Sequence, residues 1–347
     1  LHYCKNYDPA SAGSDYGIPL VTEYAPSSDY SKYPGRSSLK ETFDFIVKDL
    51  EQASNLVGIQ GEAQSAYITL DVVEALKARV YLEMEDYQNA AAAAQGLINS
   101  KRYTLISDGD AYKKMWLNDV GTEAIWQFAM SKTETGSNAL GSSFMGIVDK
   151  LPRPSYLPVK SVLNLYDKEN DIRYDAYFTT GLIDRQVGDD IEVTYCSKWP
   201  GNPELYEGKS NNVNKLKAFR ISEMYLIAAE AYAMLNQEDK ASEMLNELKK
   251  IRIKGWTETV YNGAALMQEI QDERVRELFA EGNRLFDMKR WKIGMKRSSS
   301  DAQRDDYLPA LGTDIEKEAT DNRWVWPIPK DEMDSNPQLK GQQNPGY

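Results

Sequence analysis

A two-helix pattern occurs twice in this chain, with the copies in register at an offset of 151 residues. The first copy is TLDVVEALKARVYLEMEDYQNAAAAAQGLINSKRYTL and the second is RISEMYLIAAEAYAMLNQEDKASEMLNELKKIR. Ala78 aligns with Ala229, Tyr81 with Tyr232 and Ala90 with Ala241, while Met84 and Leu235 are both large and apolar. Small residues such as Ala75, Ala78, Ala90 and Ala94 let the helices approach closely, and a polar turn near Glu85-Asp86 reverses the chain. A single hairpin of this kind cannot bury its apolar face, so neighbours must stack on it. That requirement constrains the fold more than any other feature of the sequence.

The arrangement is the tetratricopeptide pattern. A half-copy precedes it in SLKETFDFIVKDLEQASNLV, where Ser37 or Ser38 can cap a helix and Phe43, Ile46, Val47 and Leu50 fall at i, i+3, i+4 and i+7. Different material separates the full copies, which excludes a simple solenoid. EAIWQFAM (Glu123–Met130) alternates like a strand, and SKTETGSNALGSSFMGIVDKLPRPSYLP reads as loop. The expected fold is mostly α: a tetratricopeptide-type helical-repeat scaffold with a long loop-rich insertion containing a little β. Within a single domain, 1–347, we place repeat helices at 37–103 and the insertion at 104–215. Repeat and signature helices follow at 216–291, and a packing segment at 292–347.

QDERVRELFAEGNRLFDMKRW (Gln271–Trp291) is expected to be one helix. Val275, Phe279, Gly282 and Phe286 form its apolar stripe, with Leu278 and Leu285 beside it. The other side carries a charge ladder of Glu273–Arg276, Arg274–Glu277, Glu281–Arg284 and Arg284–Asp287, each exposed pair worth about 0.2–0.5 kcal/mol. At the end of the chain, Pro327 and Pro329 stiffen an extended segment. On it Trp324 and Trp326, two residues apart, point the same way and can bury together. This closing stretch is expected to be structural.

The totals exclude several functions. With 41% apolar and 27% charged residues the chain can bury a core. Its net charge of −12 argues against nucleic acid and against an anionic membrane surface. His2 is the only histidine, which leaves no Ser-His-Asp or Cys-His machinery and no catalytic zinc set. Glu273, Glu277 and Glu281 have basic neighbours that lower their pKa values, whereas a glycosidase's general acid needs its value raised. DKENDIRYD (Asp167–Asp175) offers hard oxygen ligands for calcium but lacks EF-hand spacing. No phosphate loop is present, no cofactor or metal is expected, and no apolar run reaches the roughly 18 residues of a membrane span. Cys4 and Cys196 allow one disulfide without requiring it.

ERVRELFAEGNRLFDMKRW resembles the signature helix of the SusD/RagB family of glycan-binding lipoproteins. FRISEMYLIAAEAYAMLN resembles that family's repeat helix, and YGIPLVTE (Tyr16–Glu23) its Gly-Ile-Pro-Leu segment. WVWPIPKDEMDSNPQLKGQQNPGY is similar to the family's C-terminal signature. The resemblance implies a non-catalytic protein at the outer-membrane surface. It would capture oligosaccharide and deliver it to a SusC-like TonB-dependent outer-membrane transporter. It also implies a signal peptide, a lipidated cysteine and a further helical region upstream, so that the membrane is met only through a lipid anchor. Asp171 and Arg173 match an Asp-x-Arg of the family, which implies a structural pairing.

A sugar ring has an apolar face of C–H groups and an equator of hydroxyls, so its site needs exposed aromatics with polar neighbours. TYCSKWPGNPELYEG fits, with Tyr195, Trp199 and Tyr206 interleaved with Lys198, Asn202 and Glu204. Trp199, Tyr195, Tyr206 and Asn202 are the candidate ligand residues, with Trp116 of AYKKMWLND a second locus. Trp256 follows a helix and is a weaker candidate, while Trp291 is expected in the core. The alternative is a helical-repeat adaptor that binds a peptide or protein through the insertion. A glycan-cleaving enzyme is disfavoured by the missing acid pair.

Overall fold

Ser38 opens the first long helix with a reciprocal cap. Its Oγ accepts from the Glu41 amide at 3.1 Å, and the Glu41 carboxylate accepts from the Ser38 amide at 2.8 Å. The structure, a computed structural model, describes residues 2–24, 26, 27, 29–134, 140–148, 150–185, 188–304 and 315–347. Helix α1 (Leu39–Leu56) buries Leu39, Phe43 and Leu50 and packs on α2 (Leu70–Glu83), which forms a hairpin with α3 (Tyr87–Asn99).

The insertion opens with α4 (Gly109–Leu117) and β1 (Ala124–Gln127). It continues through α5 (Leu140–Met145), β2 (Ile147–Val148), β3 (Leu151–Pro152), α6 (Lys160–Leu163) and α7 (Ile172–Tyr177). An antiparallel ribbon of β4 (Phe178–Ile183) and β5 (Ile191–Cys196) follows. β6 (Lys217–Arg220) then pairs antiparallel with β1. The strand expected at 123–130 is therefore real but short, and its partner lies directly before the second repeat. This pairing closes the neck of the insertion and returns the chain to the scaffold.

The second hairpin is α8 (Ile221–Met234) and α9 (Glu238–Arg252). α3 and α2 lie against α8, so the two copies stack directly and supply the neighbours that each lacks alone. Ala75, Ala78, Ala90, Ala94, Ala229, Ala231 and Ala241 are all fully buried in one shared core. The turns agree in detail. Glu85 and Asn236, at matching positions, both take φ 58°, and the next amide bonds back to Tyr81 or Tyr232 at 2.9 Å. The mostly helical scaffold with small sheets is as the sequence pattern requires.

The helix expected over 271–291 is two helices, α10 (Gly263–Glu277) and α11 (Arg284–Arg290). Between them Ala280 takes φ 58° and Gly282 φ 85°, which no α-helix accommodates. The chain ends with a ribbon of β7 (Met295–Arg297) and β8 (Ile315–Lys317), then α12 (Lys330–Ser335). Trp324 and Trp326 do not bury together. A 3-10 turn at Asn322–Trp324 rotates the chain so that Val325 is buried instead. Trp326 stays exposed against the His2 ring at 4.5 Å. The closing segment packs on the start of the chain rather than on the repeats: Arg36 donates to the Gln342 carbonyl and to Asn344 Oδ1, and Asn344 Nδ2 donates to the Tyr3 carbonyl. Cys4 and Cys196 are both buried and free.

Candidate ligand-binding cleft

The charged side of the 271–291 stretch faces inward, not to solvent. Glu273 and Glu277 are fully buried, and Glu281 nearly so. Glu277 Oε1 accepts from Arg220 Nη1 at 2.8 Å and Arg252 Nη2 at 2.9 Å, and Oε2 accepts from Arg252 Nε at 3.0 Å and Arg173 Nη1 at 3.1 Å. Arg173 is itself held by Asp171 at 2.8 and 2.9 Å, the structural pairing expected for these two residues. Arg220 and Arg252 also meet Glu123, next to β1. Only Glu273–Arg276, at 2.7 Å, follows the surface ladder read from the sequence. Arg274 pairs instead with Asp287 at 2.7 Å, while Glu277 and Glu281 pair across the molecule, because buried charges need several partners and find them on other elements.

The break between α10 and α11 aims Glu281 at the insertion. Glu281 accepts from Lys198 Nζ at 2.7 Å and from Arg220 Nη2 at 2.7 Å. Burial drives the Lys198 ammonium down to about 8, against the pull of Glu281. Lys198 Nζ also lies 4.1 Å from the Trp116 ring centre and 3.9 Å from that of Tyr177. One loop lysine thus ties the insertion to the signature stretch.

This packing relocates most of the expected ligand residues. Trp199 is 2% exposed and meets Trp116 edge-on at 5.0 Å. Trp116 is fully buried with Tyr112, Tyr166, Tyr177 and Phe178. Tyr195 is buried with Ile183, Ile191 and Val193, and it lies on β5, not in a loop. Asn202 is buried, with Nδ2 on Asp119 at 2.8 Å and Oδ1 accepting from the Glu204 amide at 2.9 Å. Tyr206 remains half-exposed. Exposed stacking platforms at Trp199, Trp116 and Tyr195 are therefore corrected to core positions, because the insertion condenses around its own aromatics. Trp256 and Trp291 are both half-buried, their indole N–H groups bonded to Asn246 and Glu230.

One edge of that core does reach a cleft. Trp199 forms part of the wall of a cavity of about 490 Å³ between the insertion and the scaffold. Phe128, Leu140 and Leu216 line it from the insertion, and Leu82, Ile227 and Phe286 from the helices. Phe128 is 42% exposed and stands 4.8 Å from the Trp126 ring. Leu140 is placed by Gly141, where a Cβ would meet the Trp199 carbonyl at 2.2 Å and the Asn212 carbonyl at 2.6 Å. Each carboxylate on the wall has a cation: Glu223 with Arg79, Glu83 with Arg290, Glu281 with Lys198, and Asp287 with Arg274. Several polar groups are left over. Trp199 Nε1 and Arg274 Nε and Nη1 are buried donors without a hydrogen bond among the described residues, and the Asn283 amide is likewise unused. The cleft thus joins apolar walls to unsatisfied polar groups. Sequence reasoning missed Phe128, Leu140 and Asn283. The Gly282-Asn283 pair was a helix-breaking signal that marks the lip of this cleft.

Residues 179–347 match the SusD family model. The chain superimposes over 99% of its length on 74% of a SusD superfamily protein of Bacteroides thetaiotaomicron VPI-5482, at 28% identity and a TM-score of 0.78. Over residues 179–347 it is similar to the SusD family. Among curated relatives, this chain is 25% identical to SusD-like protein P38 of Formosa agariphila, across 93% of this chain and 69% of that protein. A SusD-like carbohydrate binding protein of Bacteroides vulgatus ATCC 8482 shares the fold at 19% identity and a TM-score of 0.71, over 98% of this chain and 74% of that one.

Among the described residues, no helix of this chain is long and apolar enough to cross a membrane. Its most recognisable stretch is the one that carries the buried charges. Burial opposes ionisation of Glu273, but Arg173 and Arg276 outweigh it and hold the carboxyl near 2. Burial likewise opposes ionisation of Glu277, which Arg252 and Arg220 hold well below the usual carboxylate range. Carboxyls depressed in the folded state contribute stability above their ordinary value of about 4.5, and that stability is lost as pH falls through the folded values. The urea midpoint, followed by circular dichroism, is expected to be flat from about pH 7 to 5 and to fall steadily below about 4.5. A midpoint unchanged between pH 5 and 3 would show that these carboxyls are not ionised by their neighbours.

Proposed function

We propose that this chain is a non-catalytic glycan-binding protein that captures oligosaccharide in the cleft between insertion and scaffold. The observation that carries this reading is the combination of Phe128, Leu140 and Leu216 with unused polar groups on Trp199, Arg274 and Asn283. Apolar walls suit the C–H faces of a sugar, and N–H donors suit its oxygens. The carbohydrate-binding relative supports the same class. The pairing of every wall carboxylate with a cation supports binding without cleavage. By family, the protein acts at the outer-membrane surface as a lipoprotein and passes its ligand to a SusC-like TonB-dependent transporter.

Exposed Leu56, Ile59, Tyr67 and Ile68, in and beside the α1–α2 connection, favour a second reading, a repeat adaptor for a peptide or protein. Calorimetric titration with plant, mucin and microbial oligosaccharides separates the two. One glycan class is expected to bind, and Phe128→Ala or Asn283→Ala is expected to weaken it at least about tenfold, or roughly 1.4 kcal/mol. Both side chains are at least partly exposed, so the melting temperature is expected to stay put. Absence of binding across the panel would favour the adaptor. Binding indifferent to both variants would move the site elsewhere.

A further inference from the structure

A second cleft, of about 480 Å³, lies where the two ends of the chain meet. Its walls come from residues 5–16, from the turn after α11 and from the closing segment. It shares no lining residue with the first cleft. Two aromatic residues, Tyr16 and Trp324, line it, and both are held in place. Tyr16 is 43% exposed and lies beneath the Arg36 guanidinium at 5.0 Å. Trp324 donates its indole N–H to the Glu318 carbonyl at 2.7 Å, with Lys317 Nζ 5.0 Å from its ring centre.

Arg36 fixes the frame around them. It donates to the Gly17 carbonyl at 2.8 Å, to the Tyr3 carbonyl at 2.9 Å and to Asn344 Oδ1 at 2.8 Å. Both ends of the chain are thus locked to one buried guanidinium, and the cleft is formed before any ligand arrives.

The charges in this cleft largely cancel. Lys5 pairs with Asp15 at 2.6 Å, Asp321 with Arg323 at 2.5 Å, and Asp8 accepts from the Ala10 amide at 2.9 Å. The side chains of Asn6, Thr320, Asn322 and Lys292 line the cleft and make no hydrogen bond among the described residues. Within a chain of net charge −12, this is a near-neutral concavity with two fixed rings and a set of free amide, hydroxyl and ammonium groups. An anion would find one free ammonium beside several carboxylates, and a cation no cluster of ligands. A neutral polyol finds rings for its C–H faces and both donors and acceptors for its hydroxyls.

We propose that this terminal cleft is a second, independent binding site for a neutral oligosaccharide segment of about one to three sugar units, a size consistent with its volume. Two sites on one rigid body would hold a long glycan bivalently, so that the second contact forms at high effective concentration.

The test uses the full chain, with maltotriose, cellotriose, xylotriose and mannotriose as neutral probes and trigalacturonate as the anionic control. Affinity and stoichiometry are measured by calorimetry for wild type, Phe128→Ala, Tyr16→Ala/Asn322→Ala, and the three changes combined. At least one neutral trisaccharide is expected to bind the Phe128→Ala protein, with affinity at least tenfold lower once Tyr16→Ala/Asn322→Ala is added. Trigalacturonate is expected to bind that site more weakly than the neutral probe. Residual binding in Phe128→Ala that ignores the added changes overturns the second site and leaves the first standing. Wild-type binding that responds only to Tyr16→Ala/Asn322→Ala sinks the first and keeps the second. No binding of any neutral probe overturns the second site. Should the double variant lose its thermal transition, Asn322→Ala with Lys292→Gln, both at exposed positions, replaces it with the same expected outcome.

Discussion

Glu277→Ala is expected to destabilise the fold by about 3–5 kcal/mol, the cost of leaving buried charges without their counter-ion. Three guanidinium groups converge on this one carboxylate, from α7 (Arg173), the β6–α8 junction (Arg220) and α9 (Arg252). All three are fully buried, so water cannot take over. Removing the carboxylate leaves three cations in low dielectric, where Glu123, Asp171 and Glu273 only partly offset them. The same three elements belong to the insertion and to the second repeat, so the loss is expected to loosen their docking as well. Guanidinium unfolding at neutral pH checks the magnitude. A change below about 1 kcal/mol would mean that the network reorganises around the gap and that Glu277 is not its centre.

Trp199→Ala is expected to cost a similar amount, about 3–5 kcal/mol, because a buried indole leaves a cavity that its neighbours cannot fill. Trp199 packs edge-on to Trp116, and its loop carries Lys198 to Glu281. Trp199→Phe keeps most of the ring volume and is expected to cost less than half as much. The pair decides how any binding data on this residue are read. If both lose glycan in proportion to their loss of stability, the ring supports the cleft from behind. If Trp199→Phe keeps stability but loses binding, the indole N–H itself reaches the ligand. Wild-type stability in Trp199→Ala would return this residue to the surface role suggested by its loop sequence.

The repeat hairpins were legible residue by residue. Ala78 and Ala229, Tyr81 and Tyr232, and the turn residues Glu85 and Asn236 do equivalent things in the structure. Helical periodicity and turn chemistry act over three to five residues, so a linear reading captures them. The Asp171–Arg173 pair was implied by the resemblance, which rests on a contiguous Asp-x-Arg motif whose partners are two residues apart. Glu277 was not, because its partners come from positions 173, 220 and 252. The ligand aromatics failed similarly. Trp199, Tyr195 and Trp116 had the composition of an exposed sugar platform, yet whether a ring on an irregular segment faces water depends on what folds over it.

By itself, then, the sequence determined the helical-repeat scaffold, the presence of a long insertion and the resemblance to the SusD family, because each rests on local periodicity or on contiguous motifs. The tertiary structure alone decided that the acidic ladder is a buried hub and that Phe128 rather than Trp199 is exposed at the cleft. The physical reason is common to both. Burial and charge pairing are set by residues brought together from 25 to more than 100 positions apart, and no local pattern encodes which of them will meet.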